Sequence, residues 1–146
     1  MAARFVNVSV KSVHIDAAEN QDIIESFAIG KKNYHGDKIY ISYAEPDESG
    51  LTGTTTILKI AGDKLTLTRS GEIEQKLDFH AGELTRSIYQ TSFGALTMDV
   101  DTKKLQITFF DEDIDIYIEY ILMINGELQG LTRLCICVRE DSKVGH

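Results

Sequence analysis

The chain of 146 residues has one proline, Pro46, and 11 glycines. Breakers that sparse exclude a disordered or linker-rich chain. Cysteine is almost as scarce: Cys135 and Cys137 are the pair. Two apart on a strand, they would share a face at the long edge of bridging distance, so a disulfide is not expected and the cytoplasm is the compartment that fits. Positive charge is also short, with 15 Lys and Arg against 23 Asp and Glu and a net charge of -8. Such a surface repels phosphate, and Lys31-Lys32 and Lys103-Lys104 are isolated pairs. No nucleic acid and no membrane is therefore expected among the partners. The longest apolar run, Ile114 to Ile124, is broken by Asp115, Glu119 and two tyrosines, which is too polar for a membrane helix. Met1 to Asn7 lacks the basic-then-apolar pattern of a signal peptide.

What the chain has in quantity is alternation. Val6, Val8 and Val10 are spaced by polar residues, as are Ile39, Ile41 and Tyr43, Leu65 and Leu67, Leu96, Met98 and Val100, and Leu105, Ile107 and Phe109. Ile114, Ile116, Ile118, Tyr120, Leu122 and Ile124 continue the period across eleven positions. Period two with Val, Ile, Thr and Tyr predominant is the mark of strands with one buried face. Turn signals separate the runs at Gly36-Asp37, Gly62-Asp63, Ser70-Gly71, Asp101-Thr102 and Asn125-Gly126. So wide a sheet with one proline cannot blunt two free edges, which argues for closure. The predicted fold is all-β: a single closed up-and-down antiparallel β-barrel of about eight to ten strands. It occupies residues 1–141 and is followed by a polar C-terminal tail, 142–146. Ile15–Ser26 and His80–Arg86 read as loops.

Parity sets the predicted registers. A three-residue loop, Asn125-Gly126-Glu127, pairs even with even positions, keeps one core face and sets Glu119 opposite Arg133. The same reasoning at Ser70-Gly71-Glu72 puts Leu67 opposite Gln75 and Leu65 opposite Leu77. In the first strand the apolar phase moves from even (Val6, Val8, Val10) to odd (Val13, Ile15), which predicts a β-bulge near Lys11-Ser12.

Few features carry chemistry. Asp111-Glu112-Asp113-Ile114-Asp115 starts like a calcium loop, yet has Ile116 where glycine is needed and Leu122 where glutamate is needed; it reads as an acidic turn. The two cysteines lack a second pair at zinc spacing, and His14, His35 and His80 are scattered, so no metal and no cofactor is expected. There is no Gly-x-Ser-x-Gly and no phosphate-cradling glycine loop, and no catalytic residue is assigned. Arg69, in phase with Leu65 and Leu67, should point inward or sit at the barrel mouth. A buried guanidinium needs a partner, and Glu45 or Glu74 could supply one; otherwise it faces an anionic ligand group. On the outer face of the last hairpin, Tyr117, Ile121, Met123, Leu131, Cys135 and Cys137 form an apolar stripe suited to a homodimer or to a covering segment.

Thr55-Thr56-Ile57-Leu58-Lys59-Ile60, Leu67-Thr68-Arg69-Ser70-Gly71, Phe79, Gly82 and Tyr89-Gln90-Thr91-Ser92-Phe93-Gly94 follow one another as in a family of small uncharacterised bacterial proteins, DUF1934, which the chain resembles over nearly its whole length. Tyr43-Ala44-Glu45 resembles that family's third strand. The resemblance implies a calycin-like, lipocalin-resembling barrel of the bacterial cytoplasm with no assigned activity. Having no tryptophan, the chain lacks the lipocalin Gly-x-Trp pattern. Three functions follow. The first is a binding module whose small-molecule ligand meets Arg69, Glu45, Tyr43, Tyr89, Thr91 and Phe93. The second is an interaction protein that dimerises on the apolar stripe. The third, ranked last, is an enzyme using carboxylates near Arg69.

Overall fold

The computed structural model describes residues 4–72, 74–91 and 93–140, with the side chains of Gln90 and Thr91 left aside. Ten strands follow in order: β1 (Arg4–Ile15), β2 (Gln21–His35), β3 (Lys38–Ala44), β4 (Thr54–Ala61), β5 (Lys64–Gly71), β6 (Gln75–His80), β7 (Leu84–Thr91), β8 (Gly94–Phe110), β9 (Asp113–Ile124) and β10 (Glu127–Glu140). One 3-10 turn, Asp47–Ser49, interrupts the β3–β4 connection. All pairings are antiparallel, in the sheet order β6-β5-β4-β3-β2-β1-β10-β9-β8-β7. The first and last strands therefore join, from Val6 opposite Glu140 to Ile15 opposite Leu131. This closes the meander into the predicted barrel. The remaining seam lies between β6 and β7, where the Thr85 hydroxyl donates to the Asp78 carbonyl at 2.8 Å.

Alternation decides what fills the interior. Val6, Val8, Ile41, Leu58, Ile114, Ile116 and Val138 are buried on the inner face, mostly toward the end where β1 begins and β10 finishes. Lys32 is inward there too, and fully buried. Its ammonium donates to the Glu112 carbonyl at 2.5 Å and lies 3.4 Å from Glu140 Oε1 and 3.6 Å from Glu112 Oε2. A buried cation persists only with such partners. The acidic segment at residues 111–112 is thus a turn whose carbonyl and carboxylate hold Lys32 and cap this end.

Several predicted turns and registers differ. Ile124 pairs with Glu127, so the last hairpin turns on two residues, Asn125 and Gly126, with φ of 50° and 80°. Both positive values suit a two-residue hairpin turn. The parity that demanded three residues is restored further on, where Gln129 bulges out between Leu128 and Gly130. Beyond it Glu119 faces Arg133 as expected. In the β5–β6 hairpin the register is two residues from the predicted one: Leu67 faces Leu77, Leu65 faces Phe79 and Arg69 faces Gln75. The chain cannot turn back at Ser70-Gly71 because Gly71 still pairs with Thr54 on β4.

The predicted bulge at Lys11-Ser12 does not form: β1 keeps unbroken register with both neighbours. Val13 and Ile15 face outward instead, against Ile23 and Arg133 and against Leu131. Asp101-Thr102 is not a turn. It lies inside the 17-residue β8, and the irregularity there is a bulge between Thr102 and Lys104. The two expected loops are mostly strand, since β2 begins at Gln21 and β7 at Leu84.

Candidate ligand-binding site

The opposite end of the barrel is not filled. A cavity of about 260 Å³ opens there. Its walls come from inward side chains of β1 (Val10, Ser12), β2 (Ile24, Ser26), β5 (Leu67, Arg69) and β10 (Leu134, Ile136), with Tyr120 from β9. Tyr43, Glu45, Ser49 and Leu51 add the end of β3 and the connection after it. Ile24 is 44% exposed and lies at the mouth.

Parity with Leu65 and Leu67 turns Arg69 inward, as the sequence suggested. Its partner is neither expected carboxylate. Arg69 Nη1 donates to Gln75 Oε1 at 2.7 Å, across the β5–β6 ladder. Arg69 Nε is buried without any acceptor. Glu74 instead accepts the Gly71 amide at 3.4 Å. Among the described residues Arg69 forms no ion pair.

Glu45 follows β3, and its amide donates to the Thr54 carbonyl at 2.8 Å, which continues the strand into the cavity wall. The residue is 8% exposed, and its carboxylate accepts the hydroxyl of the fully buried Thr56. Burial, and then the Glu45 charge, push the Tyr43 hydroxyl well above its ordinary pKa, with the Arg69 charge opposing. Burial likewise raises Tyr120 and Tyr89, again against Arg69. One guanidinium thus acts on three phenols.

Of the predicted ligand residues, Arg69, Glu45 and Tyr43 come together in the cavity. Tyr89 packs against the core within reach of the Arg69 charge but is not among the lining side chains. Phe93, at the β7–β8 turn, is exposed and away from the cavity. The Thr91 side chain, Ser92 and the tail from 142 onward lie outside the described residues. Sequence reasoning missed Tyr120, Leu134 and Ile136, although their even positions on the last hairpin already marked them as inward. It missed Ile24 and Ser26 because that segment read as a loop. Among the described residues no group of three or more His, Cys, Asp or Glu side chains could hold a metal ion. No helix there is long and apolar enough to cross a membrane.

The predicted outer stripe lies on β9 and β10, with Tyr117 opposite Cys135 and Ile121 opposite Leu131. Tyr117, Ile121, Met123, Leu131, Cys135 and Cys137 are all half-buried, and the Tyr117 hydroxyl donates to Glu119 at 2.7 Å. Greater apolar exposure lies on β1 and β2, where Phe27 is 71% and Ile29 66% exposed, with Phe5 and Ile23 beside them.

The comparisons agree with this architecture. The model of a domain of unknown function, DUF1934, matches residues 8–136. An uncharacterized beta-barrel protein, YwiB of Bacillus subtilis (strain 168), is 31% identical over 131 residues, 90% of each chain. The crystal structure of the ywiB protein from Bacillus subtilis superposes with a TM-score of 0.79 at 29% identity, covering 94% of this chain and 92% of that one.

Proposed function

We propose, from the premise that this chain belongs to the DUF1934 family, that the barrel is a small-molecule binding module whose ligand places an anionic group on Arg69. The observation that carries this reading is a guanidinium, Arg69, that lines an open cavity and has no ion-pair partner among the described residues. A guanidinium in low dielectric gains most from a carboxylate, which can take two parallel N–H donors. The apolar side chains of Val10, Leu67, Leu134 and Ile136 suit an aliphatic body. At about 260 Å³ the space falls below the usual range of roughly 300–1,000 Å³ for drug-sized ligands, so the occupant is small.

Scanning calorimetry with hexanoate tests it. Ligand at ten times its dissociation constant stabilises the native state by about 1.4 kcal/mol. That raises the melting temperature of the wild type by a few degrees. Arg69→Gln should lose the rise. An equal rise in both proteins, or none in the wild type, contradicts the reading.

A second reading is self-association through the outer apolar face. The exposure of Phe27 and Ile29 on β2 favours it, because exposed apolar patches mark partner surfaces. Sedimentation at several concentrations tests it: a monomer throughout removes it.

A further inference from the structure

The cavity is lined by a guanidinium and a carboxyl group that, among the described residues, form no ion pair with each other. Among the described residues Arg69 makes one side-chain hydrogen bond, to the neutral Gln75, and Nε has no acceptor. Glu45, more than nine-tenths buried, is held by the neutral Thr56 hydroxyl. Among the described residues neither forms an ion pair, and both line the same space. Desolvated charges without counter-charges are costly, and the cost falls when a bound molecule brings them. Tyr43 and Arg69 project from β3 and β5, two strand spacings or roughly 10 Å apart. Thr56, whose hydroxyl holds Glu45, lies on β4 between them, opposite Tyr43 on one side and Arg69 on the other. The counter-charges therefore have to sit close together on the ligand.

We infer, resting on the binding reading above, that the ligand class is a small zwitterion of the α-amino acid kind. Its carboxylate takes Arg69, its ammonium takes Glu45, and a short aliphatic side chain lies against Leu67, Leu134 and Ile136. Size agrees. With about 30 Å³ for a water-sized group, 260 Å³ accommodates roughly nine such groups. An amino acid with a four-carbon side chain has that many non-hydrogen atoms.

Three six-carbon probes with matched bodies test the inference by isothermal titration into the full chain at pH 7: norleucine (both charges), hexanoate (anion only) and hexylamine (cation only). Norleucine should bind at least tenfold more tightly than either of the others. Glu45→Gln, which keeps the shape and the Thr56 contact, should remove that advantage by weakening norleucine, while hexanoate, relieved of a like charge, binds no more weakly than to the wild type. If hexanoate binds as well as norleucine, or if norleucine keeps its advantage in a folded Glu45→Gln protein, the zwitterion is wrong and the Arg69 anion site stands. If hexanoate does not bind at 10 mM, the binding reading falls with it. Should Glu45→Gln fail to fold, the three probes on the wild type decide alone.

Discussion

Glu119 and Arg133 face one another across the β9–β10 ladder although the turn between them is one residue too short for that parity. The extra residue is Gln129, and the bulge it makes depends on Gly130. With φ of 125° and the Ile15 carbonyl against the place a Cβ would occupy, position 130 admits glycine only. Gly130→Ala should destabilise the fold by about 2 kcal/mol or more, since strain of 1–3 kcal/mol adds to the clash. Urea unfolding checks this, and Gly62→Ala, at another positive-φ turn but with open space around it, should cost less.

Parity was legible in the sequence, and the places where the chain breaks parity were not. Alternation along Ile114–Ile124 and Leu134–Val138 marks the inner face, and the phase of Leu65 and Leu67 marks the inward turn of Arg69. Val13 and Ile15 suggest a bulge in β1 only if they belong to the core. They are apolar because Ile23 and Leu131 flank them on the outside. The start of β2 was hidden because Ile23 and Ile24 are adjacent, one facing outward and one lining the cavity, between the polar Asp22 and Glu25. The partner of Arg69 was also hidden. A two-residue register difference in the β5–β6 hairpin brings Gln75 opposite it, and no local signal in 70–74 reports that Gly71 stays bonded to β4.

Arg69→Met should leave the stability of the unliganded protein unchanged to within about 1 kcal/mol, since loss of the Gln75 bond is offset by removal of an unsatisfied buried donor and the stem is replaced in kind. The same change should abolish hexanoate binding. Loss of binding without loss of stability is what a group kept for a ligand produces. Chemical denaturation and titration on one preparation measure both.

Lys32 separates packing from charge. Its carboxylate partners remain partly solvated, Glu112 at 52% and Glu140 at 21% side-chain exposure. Lys32→Met fills the same space and strands no buried anion, so it should change stability by less than about 1 kcal/mol. Lys32→Ala leaves a hole at the filled end and should cost about 2–4 kcal/mol. Urea midpoints of the two variants give the comparison.

His80 links the turn after β4 to the loop after β6, with Nδ1 2.9 Å from Glu83 Oε1 and Nε2 3.1 Å from Asp63 Oδ2. The Glu83 carboxylate, then the Asp63 carboxylate, raise its pKa above the ordinary histidine value. A raised folded pKa means that this stabilisation is complete below the unfolded value of about 6.5 and disappears as pH rises through the folded pKa. The melting-temperature gap between wild type and His80→Gln should therefore be widest near pH 5.5 and close by pH 9. Subtracting the variant isolates His80 from the other histidines.

Ligand binding at the unfilled end of the barrel, governed by Arg69, is tested directly by amide chemical-shift mapping with hexanoate. Saturable shifts are expected at Val10, Ile24, Leu67, Arg69 and Leu134, with silence at Ile114 and Ile116 in the filled end and loss of the pattern in Arg69→Gln. No shifts at 10 mM hexanoate, or shifts confined to the outer face around Phe27 and Ile29, would contradict it.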